Sequence, residues 1–200
     1  MSELYIHIGI PKCGNTFFLK NFYPNIKDIT FVNGQKKNLL SIPDVNSKIL
    51  FFDGRISGFY NINKFSCDGY LYVDRISKVF PDANIIIGRR NIDSLSVSLY
   101  NQYVKTGGVE SFDRWFNGFI KSKSYDVDGF IEYVCSVFDN VYIYDFDVFK
   151  KDSNVVIKNI CSFIGVDVPI VDNVVQNGSI SSYVLFVKHK INLVRRFFNV

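Results

Sequence analysis

The stretch Leu4-Tyr5-Ile6-His7-Ile8-Gly9-Ile10-Pro11-Lys12-Cys13-Gly14-Asn15-Thr16-Phe17 holds a strand, a break, a turn and the start of a helix. Apart from His7 and Gly9, the run from Leu4 to Ile10 is apolar and largely β-branched or aromatic. That is the pattern of a strand covered on both faces of a parallel sheet. Pro11 has no N–H for a ladder and ends the strand. Gly14 permits an unusual backbone turn, and a helix is expected over residues 15–22. In an open parallel sheet such a turn sits at the carboxyl edge, where ligands bind. Successive N–H groups and the helix start form an anion nest. Lys12 adds a positive charge and Thr16 a hydroxyl donor, a set suited to phosphate or sulfate. The plainer reading is a surface turn with a chance lysine.

Three further runs follow the same logic. Ile49–Phe52 is bounded by Asp53-Gly54, Asn84–Gly88 by Arg89-Arg90, and Val141–Tyr144 makes a fourth. Helical patterns cover residues 69–80, Asn91 to about Val104, 111–121, 128–138 and 153–164, the last ending before Gly165. Asn91 is a good N-cap residue. The alternation predicts an α/β fold, a three-layer sandwich whose central, mostly parallel sheet has four to five strands flanked by helices. Residues 25–47, with Asn33-Gly34 and Pro43, read as irregular structure with a short strand at best, and residues 166–182 as a loop. Residues 182–198 place Val184, Val187, Ile191, Val194 and Phe198 on one helical stripe, with Lys188, Lys190, Arg195 and Arg196 on the other face. This predicts an amphipathic helix docked on the sheet with a solvated basic face. A dimer contact or a membrane-surface contact is the less favoured alternative.

The chain has 200 residues, which fits one domain over 1–200. With 23 Lys and Arg against 19 Asp and Glu, the net charge is +4, enough to favour an anionic ligand and too little for a nucleic-acid partner. The two histidines and four cysteines show no C-x-x-C or zinc-ligand spacing, so no metal is expected. Unpaired-looking cysteines, the lack of a signal-like start, and apolar runs shorter than the roughly 18 residues of a membrane span predict a soluble cytoplasmic chain without a transmembrane segment.

The turn is not a Walker A loop, because Lys12 precedes Gly14 and no G-K-[ST] follows. The order Pro11-Lys12-Cys13-Gly14-Asn15-Thr16-Phe17 resembles the loop of PAPS-dependent sulfotransferases (PAPS is 3′-phosphoadenosine 5′-phosphosulfate). That family commonly has Pro-Lys-(Ser/Thr/Ala)-Gly-Thr-Thr-aromatic, so Cys13 and Asn15 depart from it. A second element is similar to the family too. Its Arg ends a strand and a Ser follows 8 positions later, as Arg90 and Ser98 do here. For either residue alone the plainer reading is an ion pair or an ordinary helix serine. Val141–Phe149, the ending Phe163-Ile164-Gly165-Val166, and Asn177 with Ser179 add diffuse likeness.

The resemblance implies PAPS as co-substrate and PAP, the desulfated nucleotide, as product, with no metal. It implies binding by Lys12, Cys13, Gly14, Asn15, Thr16 and Phe17, with Arg90 and Ser98 on the 3′-phosphate. Lys12 would be the electrostatic catalyst. Phe17 has two readings, an adenine contact or the core face of the first helix. The family's usual Glu base aligns with Gly54, which leaves neighbouring Asp53 as the base candidate, or as a plain Asp-Gly turn residue. Arg55 could bind an acidic acceptor. His7 reads as a core residue and His189 as surface, while the Cys13 thiol, in an anion nest, could have a lowered pKa. The acceptor would be the hydroxyl of a glycan, lipid or small metabolite, met by residues 25–47, 55–68 and 101–127. The alternatives are a P-loop-type nucleotide or metabolite kinase and a non-catalytic relative that binds PAP or another anion.

Overall fold

The structure is a computed structural model that describes residues 3–36, 47–58, 68–121, 126–171 and 182–198. Five strands form its sheet: β1 (Leu4–Ile8), β2 (Ile29–Asn33), β3 (Lys48–Asp53), β4 (Asn84–Arg89) and β5 (Val141–Asp145). Their order is β2-β3-β1-β4-β5 and every pairing is parallel. β1 is central, with β3 on one side and β4 on the other. The chain fills one side first and then crosses to the other, so the turn after β1 lies where the winding reverses. That is where an open α/β sheet forms its ligand crevice.

Side chains alternate along the strands and build a core on each face. Ile6, Ile8, Ile49, Phe51, Ile85 and Ile87 pack with α2 (Asp68–Val79), α3 (Ile92–Lys105), α4 (Phe112–Lys121) and α5 (Val127–Val137). Tyr5, Leu50, Phe52, Ile86 and Tyr144 pack against the segment after β1 and against α7 (Ser153–Ile164). Buried residues on both faces explain why the strands read as continuous apolar runs rather than alternating ones.

Four expectations need correction. First, Ile29–Asn33 is a full edge strand, β2, in register with β3 from Ile29↔Lys48 to Asn33↔Phe52. Its Asn-Gly ending masked it, and residues 37–46 lie outside the described residues. Second, the helix over 15–22 is composite: α1 (Asn15–Phe17), a π-helical turn Phe18–Phe22 and a 3₁₀ turn Tyr23–Asn25. The i→i+5 closure brings aromatic pairs five residues apart face to face. Phe17 stacks on Phe22 with centroids 6.2 Å apart, and Phe18 on Tyr23 at 5.6 Å.

Third, the run Val141–Phe149 divides. The Asp145 carboxylate accepts from the N–H groups of Asp147 and Val148 at 2.7 and 3.0 Å, capping a short helix α6 (Phe146–Lys151). Fourth, α8 (Ser182–Phe197) docks on α3, and by its polar side. Asn192 is buried and donates to the carbonyls of Val104 and Gly108 at 2.8 and 3.0 Å. Val184, Val187, Ile191, Val194 and Phe198 are exposed. The carbonyls of Val104 and Gly108, at and just beyond the end of α3, hold this orientation, because a buried Asn192 amide left without acceptors costs more than an exposed apolar side chain. Asn177 and Ser179 lie outside the described residues.

Candidate functional site

The turn after β1 is shaped by two left-handed residues, Lys12 (φ 64°) and Gly14 (φ 84°). A Cβ at Gly14 would come within 3.2 Å of the Phe146 ring and 3.3 Å of Phe18, besides the strain of its φ. Lys12 adopts the conformation without being glycine, the kind of strain that concentrates at working sites. Among the described residues, the backbone N–H groups of Gly14, Asn15 and Thr16 have no partner, whereas Cys13 donates to Ile10 at 3.3 Å and Phe17 to Gly14 at 2.9 Å. The Thr16 hydroxyl is exposed. The Oδ1 atom of Asn15 is buried without a donor.

Arg90 follows β4 on the neighbouring strand end and reaches this turn. Its Nη1 donates to the Lys12 carbonyl at 2.8 Å, its Nε donates to Ser94 Oγ at 2.9 Å, and its guanidinium lies 4.8 Å from the Phe146 ring centroid. Nη2 and the second Nη1 hydrogen have no partner among the described residues, so an open edge of the fork remains. Ser94 donates to its neighbour Asn91's carbonyl at 3.1 Å and lies 3.4 Å from the Asp147 carboxylate, which also accepts from the Asn91 N–H at 3.3 Å. Arg90 is thus oriented from two sides while its free donors face away from both. Ser98 lies one helical turn beyond Ser94, half-buried and without a hydrogen-bond partner among the described residues.

The electrostatics match this layout. Lys12 has no carboxylate partner among the described residues. Burial, then the positive charges of Lys105 and Arg90, hold its pKa below the ordinary lysine value. Burial likewise lowers the pKa of Arg90, against the raising influence of Cys13 and Asp147. Like charges gathered in a half-buried place are relieved by a bound anion. Lys105 is a member that the sequence reading missed. The signal was present: it lies two turns past Ser98, on the same face of α3.

A buried relay braces the turn from below. Tyr144 Oη donates to the Cys13 carbonyl at 2.7 Å and lies 3.3 Å from His7 Nε2, while His7 Nδ1 lies 2.6 Å from Tyr23 Oη. One tautomer satisfies all three contacts: Tyr23 donates to Nδ1, and Nε2–H donates to Tyr144. His7 is fully enclosed, and burial lowers its pKa to about 3, so it is a neutral core histidine as the sequence suggested. Gly88 makes room for Tyr144, since a Cβ there would lie 2.6 Å from its phenol.

Three expectations change at the residue level. The Cys13 thiol is buried in the core, and burial raises its pKa to about 12 rather than lowering it. Phe17 packs in the core against Phe18, Phe22 and Phe149, the second of its two readings. Asp53 is buried and spanned by Arg55, whose Nε and Nη2 approach its carboxylate at 3.0 and 2.7 Å and whose backbone N–H donates to it at 2.8 Å. Arg55 also donates to the Gly34 carbonyl. A carboxylate so occupied clamps the ends of β2 and β3, its oxygens engaged by Arg55 rather than open to an acceptor. Arg55 itself is taken, though its side chain is 56% exposed.

Gly9 and Gly54 meet where β1 and β3 end. A Cβ on Gly9 would lie 2.8 Å from the Gly54 Cα, and Asn15 Nδ2 fills the gap beside them. At Gly54 itself a Cβ meets only ordinary contacts, 3.5 Å to Asn15 Nδ2 and 3.9 Å to the Gly9 oxygen. The absence of a side chain there is therefore not forced by packing.

No protein-family model matches the sequence, and no curated protein does. Solved structures do match by shape. A sulfotransferase from Alicyclobacillus acidocaldarius superposes with a TM-score of 0.59 over 96% of this chain and 93% of its own, at 17% identity. Mouse sulfotransferase SULT7A1, crystallised in complex with PAP, superposes with a TM-score of 0.54 over 84% of this chain and 60% of its own, at 16% identity. The parallel sheet with its flanking helices therefore has the sulfotransferase fold.

Proposed function

We propose that this chain is a sulfotransferase that moves a sulfuryl group from PAPS to an acceptor hydroxyl. In this reading the N–H groups of Gly14, Asn15 and Thr16, with the Thr16 hydroxyl, take the 5′-phosphosulfate. The open edge of Arg90 and the Ser98 hydroxyl take the 3′-phosphate, since a guanidinium fork suits a phosphate dianion. Lys12 neutralises the charge that develops on the leaving phosphate. A sulfur–oxygen bond forms to the acceptor as the one to the phosphate breaks, the acceptor hydroxyl passes its proton to water, and PAP departs. Positioning and electrostatics carry such a transfer. The acceptor class in this reading is a glycan, lipid or small-metabolite hydroxyl.

The observation that carries the proposal is the Arg90–Lys12 contact, because it joins the turns after β1 and β4 into one cationic rim with free donors. The residues also fit the group they would hold: the N–H groups of Gly14, Asn15 and Thr16 have no partner among the described residues. Calorimetric titration tests the proposal. PAP binds and ATP–Mg²⁺ does not; the reverse result assigns the kinase alternative. The clamp on Asp53 and the glycine at 54 favour a second reading, a relative that binds PAP and transfers nothing. Release of PAP from PAPS in the presence of phenol and sugar acceptors separates the two.

A further inference from the structure

The outward half of α8 is apolar. Phe186, Val187, Ile191, Leu193 and Val194 are exposed along it, and Phe197 and Phe198 are 83% and 67% exposed at its end. Helical spacing puts these side chains on the arc opposite Asn192, the residue that fastens the helix to α3. His189 strengthens the same attachment, with Nε2 2.9 Å from the Val109 carbonyl. The helix is thus held by its polar side and leaves its apolar side without cover among the described residues.

The charges around that face decide what covers it. Of the cations of α8, Lys190 and Arg195 stand at this face and Lys188 and Arg196 fall on the Asn192 side, and Ser182–Phe197 contains no Asp or Glu. Lys190 lies within the apolar arc, its ammonium 5.4 Å from the Phe186 ring centroid, while Arg195 borders it. A second copy of the chain, paired along this face, would set Lys190 and Arg195 against the same residues of its partner with no acid between them. A negatively charged surface suits the cations and the apolar face together. Among the described residues no helix is long and apolar enough to cross a membrane, so this helix would lie on a bilayer rather than span it.

We propose that α8 is an interfacial helix that seats the protein on an anionic lipid surface, its apolar arc in the acyl boundary and its cations at the headgroups. The inference does not depend on the activity proposed above.

Co-sedimentation of the full chain with phosphatidylcholine vesicles, with and without phosphatidylserine, tests it. Binding is expected only with phosphatidylserine and weakens in high salt. Lys190→Glu with Arg195→Glu, and separately Phe186→Ser with Phe197→Ser, abolish it; all four side chains are exposed, so the fold is kept. Each neutralised cation lowers binding roughly fivefold. In Phe197→Trp the emission shifts to the blue on anionic vesicles. Equal binding to both vesicles, no binding to either, an unmoved emission, or light scattering that shows a dimer split by the serine pair would overturn the proposal.

Discussion

The Tyr144 phenol, at the end of β5, donates to the Cys13 carbonyl at 2.7 Å and so fixes the turn after β1 from beneath. The bond spans 131 positions of sequence and ties an edge strand of the sheet to the loop after the central strand. Replacing Tyr144 with Phe keeps the packing and leaves that carbonyl without its donor. The expected cost is about 1 kcal/mol of stability, read by urea denaturation, together with weaker PAP binding. Unchanged PAP affinity would mean that the turn holds its shape without this brace.

Arg90→Ala removes the open guanidinium edge and the support under the Lys12 carbonyl. PAP affinity is expected to fall roughly 10- to 100-fold, the worth of hydrogen bonds to a charged group. Arg90→Lys keeps the charge without the fork and falls between. Lys12→Ala behaves differently, because its charge matters most where charge develops: turnover drops more than PAP binding. Parallel calorimetry and initial rates read the split.

Lys105 acts through Lys12. Anion affinity that needs a protonated Lys12 is lost as pH rises through its pKa, which burial, Lys105 and Arg90 all push down. Lys105→Ala removes one depressing charge, so the alkaline limb of PAP binding moves to higher pH. A limb that stays in place assigns Lys105 no role at the rim.

His7 links stability to acidity. Its pKa is about 3 when folded against 6.5 in the unfolded chain. Between those values the unfolded chain binds the proton and the folded one does not. Stability is therefore complete above the unfolded value and is lost as pH falls below it, by up to about 1.4 kcal/mol per pH unit from this group. Imidazole NMR signals of His7 that stay in the neutral form until the acid transition would bear this out; titration near 6.5 in the folded protein would refute it.

Gly54 accepts a side chain sterically, and the family resemblance places a Glu there. Gly54→Glu is expected to fold with a melting temperature close to that of the parent and, under the sulfotransferase reading, to raise the rate of transfer. PAP release from PAPS compared between the two proteins measures it. A folded variant with no gain removes position 54 as the site of a missing base.

The strands buried on both faces were legible because their apolar runs leave no alternative. Lys12 and Arg90 were legible because each follows such a run at a carboxyl edge. Four features were hidden for separate physical reasons. β2 ends in an Asn-Gly turn that reads as irregular chain. Asp53 looked free because its partner, two residues on, closes over it only when Gly34 supplies a third contact. Tyr144 and His7 each read as core, and their shared bond to the turn depends on a register that no local pattern encodes. Finally, hydropathy identified the stripe on α8 correctly but not its direction, which the carbonyls ending α3 decide.

The wide turn from Phe18 to Phe22 has a consequence for which insertions and deletions the chain tolerates. It holds one residue more than an α-helical closure, and the surplus keeps Tyr23 under His7. Deleting Leu19 or Lys20 would let the turn close as an ordinary α-helix with both ring pairs four apart on one face, whereas inserting a further residue would rotate everything beyond by about 100° and unstack them. The five positions thus leave room for one residue fewer and none for one more.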